Sequence, residues 1–363
     1  MENKRILHIA AHMGAGAGKA IGGLAAGDRR NTHSIYLLDT PQKQNHIEYS
    51  KSRGVEISFG GDLDPHLAEA DVVVVSWWGH RLTDALLAGF PQIPCRMAIW
   101  AHKNGLNDPP LPQHYVEEAD ALLVTTPYSL ENPRWSSAHL IHGFGNFDPA
   151  RARYKSSYTQ CAERFTIGFI GTPTYKKLPP DYLDYCEEVV KEIPDCRLVV
   201  AGEASRELIG DAVKRGLAPY LEFVGWTEDV QGLLLSFDVF GYLLRPDTFA
   251  TTENAVVEAL AAGIPTVTSR YPIGKYLLED GISGFLAENP KEYAMLVKRL
   301  YENEGLREKI GRAGRNYVIQ SINADENLRR FDSVCEEMAA LPKKPRRFQS
   351  KFQSKEDSGY GAN

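Results

Sequence analysis

Short apolar runs alternate with longer mixed segments along most of the chain. RILHIA (Arg5–Ala10), HSIYLLD (His33–Asp39), Val55–Phe59, ADVVVVS (Ala70–Ser76), Met97–Trp100 and DALLVT (Asp120–Thr125) are compact apolar runs of strand length, and several are rich in β-branched residues. An unbroken run of this kind predicts a strand buried on both faces, as in a parallel sheet covered by helices. A second series follows, at Phe165–Gly171, Cys196–Gly202, Leu221–Gly225, Asp238–Leu244 and from Ile264. Helical patterns lie between the runs, including one that Asp181 can cap and that reaches Glu192. Amphipathic helices are predicted over Glu292–Gly314 and Ala324–Ala340. Such alternation predicts an α/β protein with parallel sheets.

The stretch from His139 to Phe147 is glycine-containing and irregular, and Pro149–Arg164 is polar without period, which reads as an interdomain linker. The 363 residues suffice for two domains at the usual ~100–200 residues each. The expected division is 1–160, 161–323, a last helix over 324–341 and a tail over 342–363. The tail carries Lys343, Lys344, Arg346, Arg347, Lys351 and Lys355 with few apolar residues, so it is expected to be disordered. A basic tail with two phenylalanines suits peripheral contact with an anionic membrane surface.

The densest local signal is RPDTFATTENAVVEALAAGIPTVT, from Arg245 to Thr268. Thr251, Thr252, Glu253 and Asn254 suit a helix start, the helix is expected over Glu253–Ala262, and Gly263 suits its end. Its face is apolar, yet Glu258 sits in the second turn, and a carboxylate there needs a partner. The start, from Thr252 through Ala255, offers unpaired N–H groups with Arg245 close in sequence, which is the make-up of an anion site.

Near the amino end, HMGAGAGKAIGGLAAG places Gly14, Gly16 and Gly18 between a strand and a helix, where backbone can approach a phosphate or a sugar. The spacing is GxGxG rather than the dinucleotide GxGxxG, which disfavours a dehydrogenase even with Asp39 ending the next strand. Trp77-Trp78-Gly79-His80 and His102 follow strand ends, where ligands of α/β sheets gather.

The net charge of -6 gives no case for nucleic acid. Five scattered cysteines without a CxxC pair suggest neither a zinc site nor a disulfide framework, so a reducing cytoplasm is expected. The first residues do not read as a signal peptide, and no stretch approaches the ~20 apolar residues of a bilayer span. Asp62-Leu63-Asp64 has the form of a metal-binding DxD but reads as a surface loop.

Taken together and in order, LHIAAHMGAGAGKAIGGLA, DVVVVSWW, MAIWAHKNG, ALLVTTPYS, IGFIGTPTYKKL, CRLVVAGE, LEFVGWTEDV, ENAVVEALAAGIPTV and DGISGFL resemble the retaining GT-B glycosyltransferases over roughly residues 5 to 335. The resemblance implies two Rossmann-like domains facing a central cleft. The nucleotide-sugar donor would bind mainly to the second domain and the acceptor mainly to the first, with the last helix packed back on the first. It implies no metal and no cofactor. Glu258 matches the second glutamate of the family's paired motif, which holds the donor ribose. The first falls at Ala250 and is missing, with Glu253 nearby. Gly171 matches the glycine of the diphosphate grip, Thr172 replaces its arginine, and Lys176 or Lys177, preferably Lys177, supplies its lysine; Arg245 is the candidate to restore the lost cation. His102 matches a histidine facing the transferred sugar, and Gly14 and Gly16 match a flexible loop over the site.

The leading expectation is a divergent active enzyme, with His102, Lys177 and Glu258 as its catalytic set. It would move a sugar from a nucleoside diphosphate sugar to a hydroxyl acceptor (a glycan, a lipid-linked sugar or a small molecule) with retention. The alternatives are an epimerase of the same plan and a nucleotide-sugar or glycan binder without transfer.

Overall fold

The computed structural model describes residues 3–40, 44–157, 164–270 and 272–348. It forms two compact units, one combining the chain through Phe147 with the chain from Ala324 onward, the other Asp148–Asn323.

In the first unit the strands are β1 (Arg5–Ala10), β2 (Thr32–Leu37), β3 (Glu56–Phe59), β4 (Val72–Trp77), β5 (Met97–Ala101), β6 (Ala121–Val124) and β7 (His139–Leu140). They form one parallel sheet in the order β3-β2-β1-β4-β5-β6-β7. The helices are α1 (Ala15–Gly27), α2 (Asn45–Ser52), α3 (Asp64–Glu69), α4 (Arg81–Ala88) and α5 (Gln113–Glu118). Every residue of β4 is buried. Because successive side chains point to opposite faces, Val72 and Val74 enter one apolar layer with Ile21, Leu24 and Phe331, while Val73 and Val75 enter another with Leu67, Leu87 and Tyr115. That two-sided burial is why the strand reads as a continuous run. Asp62 and Asp64 are exposed, and the Asp62 carboxylate accepts from the Asp64 N–H at 3.0 Å, a local turn at the start of α3.

The second unit repeats the plan with β8 (Phe165–Ile170), β9 (Cys196–Ala201), β10 (Leu221–Gly225), β11 (Val239–Tyr242), β12 (Thr266–Ser269) and β13 (Phe285–Ala287). Its parallel order is β10-β9-β8-β11-β12-β13. Its helices are α6 (Tyr182–Glu192), α7 (Arg206–Lys214), α8 (Val230–Leu235), α9 (Asn254–Ala261), α10 (Pro290–Glu302) and α11 (Glu304–Ser321). In both sheets the strand order reverses beside the unit's first strand. Ligands of open α/β sheets bind beyond the carboxyl ends at that point. The last helix, α12 (Ala324–Ala339), belongs to the first unit and buries Phe331, Val334, Cys335 and Met338 in its apolar layer.

Four sequence expectations change here. The stretch expected as a linker begins inside the second unit: the Arg315 guanidinium donates to the carbonyls of Ala150 and Ala152 at 2.9 and 3.3 Å, and the Lys155 N–H donates to Ala262 at 2.9 Å. The division therefore falls after Phe147 rather than after residue 160; residues 158–163 lie outside the described residues. The helix expected over Glu292–Gly314 is two, because Asn303 ends α10 and its side chain caps α11 by accepting from the Leu306 N–H at 2.8 Å.

Gly16 is not in a loop but in the first turn of α1, whose N-cap is Gly14. The glycines of this helix allow close packing: a Cβ on Gly18 would stand 2.2 Å from the Met13 carbonyl oxygen. Gly18→Ala is expected to lower the stability of the first unit by about 1–3 kcal/mol, read as a lower urea midpoint.

The basic tail is ordered through Phe348. Lys344 pairs antiparallel with Cys95, and the Lys343 ammonium donates to the Ala70 carbonyl at 2.7 Å. Arg346 is fully buried; its guanidinium donates to the carbonyls of Cys95 (2.9 Å) and Glu118 (2.7 Å) and to the Asp120 carboxylate. Phe348 packs edge-on against Phe90 and Tyr115. Ala70, Cys95 and Asp120 stand just before β4, β5 and β6, so this strap ties three strand starts together. Composition suggested disorder because it counts charges, whereas a guanidinium's five donors can satisfy carbonyls that strand starts leave open. Lys343 and Arg346 are therefore committed to the fold, while Lys344 and Arg347 are exposed. Residues 349–363, with Lys351 and Lys355, lie outside the described residues.

Candidate functional site

Beyond the carboxyl ends of β8 and β11, two loops of the second unit meet. The loop after β8 runs from Gly171, whose N–H donates to Ala201 at 3.1 Å, to Lys177. The loop after β11 is tied to it where the Arg245 N–H donates to the Lys177 carbonyl at 3.0 Å. This brings the Lys177 ammonium 2.8 Å from the carboxylate of Glu253, with both side chains largely covered. Tyr242, the last residue of β11, donates its hydroxyl to the same carboxylate, and the Thr251 N–H donates to it at 3.0 Å.

Glu253 is the N-cap residue of α9 and has φ 47° and ψ 67°. Among the described non-glycine residues it alone has positive φ. A left-handed conformation costs an L-residue about 1–2 kcal/mol. Lys177, Tyr242 and the Thr251 N–H supply what holds it there. Strain of this kind persists where the surroundings over-determine it, and such places are commonly binding or catalytic sites.

Burial alone would lower the pKa of Lys177 and raise that of Glu253. Their mutual attraction and hydrogen bonds, joined by Tyr242, outweigh it, so Lys177 lies above the usual lysine range and Glu253 below the usual carboxylate range. Burial and the Glu253 charge push the Tyr242 hydroxyl up. A lowered carboxylate stabilises the fold above its unfolded pKa, and a raised lysine does so below its own. The pair's contribution is thus full between about pH 4.3 and about pH 10.4. It fades as pH falls towards the Glu253 value or rises towards that of Lys177. Urea midpoints followed from pH 7 to pH 3 should fall less in Glu253→Gln than in the parent; equal slopes would contradict the pairing.

The other residues of this region are placed as follows. Thr252 is buried, Asn254 and Ala255 open α9, and Glu258 lies half-buried in its second turn. The expected hydroxyl cap is not the N-cap: Glu253 occupies that position, and its side chain makes no capping bond. Glu253 therefore precedes the helix instead of lying on its surface with Glu258. Ala250, at the place of the missing glutamate, is buried. Thr172 and Lys176 are exposed, so of the two lysines only Lys177 is drawn to the start of α9. Arg245 has local partners. Its guanidinium holds the Asp247 carboxylate, with one bond at 2.7 Å, and donates to the Tyr175 carbonyl at 2.9 Å. Tyr242 and Asp247 escaped the sequence reading: the first looks like strand filler, the second like a turn residue.

In the first unit, His102 follows β5. One of its ring nitrogens lies 3.0 Å from the Ser76 hydroxyl, and its ring centroid lies 4.5 Å from that of Trp100. Burial lowers its pKa to about 3, so the ring is neutral at physiological pH. Trp77 is fully buried in the core, whereas Trp78 is partly open and lies near His12, His80 and His102.

Residues 164–303, most of the second unit, match the family model described as Glycosyl transferases group 1. Among solved structures, HepE of Anabaena in complex with UDP and glucose superposes with a TM-score of 0.76 over 92% of this chain and 100% of that one, at 15% identity. Sucrose-phosphate synthase of Thermosynechococcus elongatus superposes with a TM-score of 0.69 over 92% and 99%, at 14% identity. The fold is GT-B. In this GT-B chain the family match lies on the unit that contains the Lys177–Glu253 pair. Curated relatives match over shorter stretches. Phosphatidyl-myo-inositol mannosyltransferase of Mycobacterium tuberculosis is 30% identical over 165 residues, 42% of this chain and 43% of that protein. Spore coat protein SA of Bacillus subtilis is 25% identical over 198 residues, 51% and 49%. The matches thus span less than half the length of these relatives.

Proposed function

We propose that the chain transfers a sugar from a nucleoside diphosphate sugar to a hydroxyl acceptor with retention of configuration, without a metal ion. The observation that carries this reading is the meeting of Lys177 with the start of α9. Residues far apart in sequence place a buried ammonium against the N-cap residue of α9, and a cation together with the N–H groups of a helix start suits a leaving diphosphate. The group 1 match over this unit, the GT-B fold and neighbours solved with UDP and with UDP-glucose support it.

In this reading Glu258 holds the donor ribose, while Gly171, Thr172 and the residues Thr252 to Ala255 line the phosphates. Lys177 has three N–H donors, so it can keep Glu253 while meeting a phosphate oxygen. Its charge stabilises the diphosphate as the sugar–phosphate bond breaks. The leaving phosphate takes the acceptor proton, and the resemblance assigns neutral His102 a role towards the sugar. Four buried free cysteines among the described residues suit a reducing, cytoplasmic setting.

Glu258→Gln is expected to weaken nucleoside diphosphate binding about tenfold by calorimetry, with an unchanged melting temperature. Unchanged affinity would remove the ribose assignment. One observation favours a second reading, binding without transfer: both Lys177 and Arg245 already carry carboxylate partners. Nucleotide-sugar binding with no turnover across donors and acceptors would select it.

A further inference from the structure

The carboxyl ends of β1, β4 and β5 are neighbours in the first sheet, and the reversal of strand order falls between β1 and β4. His12 follows β1, Trp78 and His80 follow β4, and His102 follows β5. Ring centroids lie 5.2 Å apart for His12 and Trp78, 5.4 Å for His12 and His80, and 6.0 Å for Trp78 and His102. The backbone is shaped to present them. Gly79 has φ 75°, and a Cβ there would stand 2.3 Å from the Pro109 ring, so only glycine fits between these two half-buried rings.

Two backbone N–H groups fix what these rings offer. The Nδ1 of His12 accepts from the Gly14 N–H at 3.0 Å, and the Nδ1 of His80 accepts from the Leu82 N–H at 3.3 Å. In each neutral ring the proton is therefore on Nε2. Neither Nε2, nor the indole N–H of Trp78, hydrogen-bonds to any described residue. The cluster is thus an aromatic face ringed by three N–H donors. Burial, then the neighbouring His80, holds His12 below its ordinary pKa, with Asp39 opposing. The cluster holds no lysine or arginine, so an anionic ligand would find no permanent counter-charge among these rings. A neutral ring bearing hydroxyl oxygens, with a C–H face to lie on the indole, matches both features.

We infer that the acceptor is a neutral saccharide, its ring stacked on Trp78 and its hydroxyl oxygens accepting from His12 and His80. This rests on the transfer reading above, for which it names the acceptor class.

The test uses the full chain and saturation-transfer NMR with neutral gluco-, manno-, galacto- and xylo-trisaccharides, against glycerol phosphate and anionic phospholipid vesicles. Thermal shifts with UDP, GDP and ADP are recorded in parallel. At least one trisaccharide should bind. Trp78→Ala should weaken it by about tenfold or more, and Trp78→Phe should restore most of the affinity. The nucleotide shift should be the same in both variants. Trisaccharide binding lost in Trp78→Ala without any nucleotide shift in the parent would uphold the site and remove the transfer reading. No trisaccharide binding beside an intact nucleotide shift would overturn the inference and leave that reading standing. Binding of glycerol phosphate or vesicles alone, or saccharide binding that survives Trp78→Ala, would also overturn it.

Discussion

Replacing Lys177 with alanine should destabilise the second unit by about 3–5 kcal/mol and abolish nucleoside diphosphate binding. The substitution leaves the Glu253 carboxylate buried with only Tyr242 and the Thr251 N–H as partners. It also leaves the left-handed backbone at Glu253 without its main anchor. Adding Glu253→Gln removes the stranded charge, so Lys177→Ala/Glu253→Gln should recover much of the stability while remaining unable to bind nucleotide. Contacting residues couple in this way, and a double-mutant cycle isolates the term. Far-UV circular dichroism in urea and calorimetry together separate the two effects. A Lys177→Ala protein of parental stability would refute the pairing, and one of parental affinity would refute the phosphate role.

Arg346→Ala should destabilise the first unit by a comparable amount, about 3–5 kcal/mol. Arg346 is fully buried, and its loss strands Asp120 together with the carbonyls of Cys95 and Glu118. Removing the chain from Pro342 onward should cost at least as much, because the Lys344–Cys95 pairing and the Phe348 contacts go with it. Trp77, Trp78, Trp100 and Trp135 all belong to the first unit and only Trp226 to the second, so tryptophan fluorescence in urea reports mainly on this loss. A midpoint equal to the parent's would show that the strap is dispensable.

These two sites mark what could and could not be read from the sequence. β4 was legible because two-sided burial writes itself as an unbroken apolar run, and α9 because Gly263 and the apolar pattern bound it. Of the two neighbouring lysines, Lys177 turns to the start of α9 while Lys176 is exposed, a difference that adjacent identical residues do not announce. The conformation of Glu253 was not legible, since it depends on partners at positions 177 and 242 rather than on its neighbours. The same holds for Arg346, whose acceptors are backbone carbonyls that no side-chain pattern records. Gly18 misled because close helix packing and a mobile phosphate loop call for the same residue. The Asp247 partner of Arg245 was not legible either, since a turn residue two positions along carries no pattern.

The most direct test of the central claim is product analysis. The parent chain is incubated with UDP-, GDP-, ADP- and dTDP-sugars and with neutral oligosaccharide acceptors, and the products are read by NMR. The account predicts release of a nucleoside diphosphate together with a new glycoside of the donor's own anomeric configuration, both lost in Lys177→Ala/Glu253→Gln. Folded protein that consumes none of these donors, or a glycoside of inverted configuration, would contradict it.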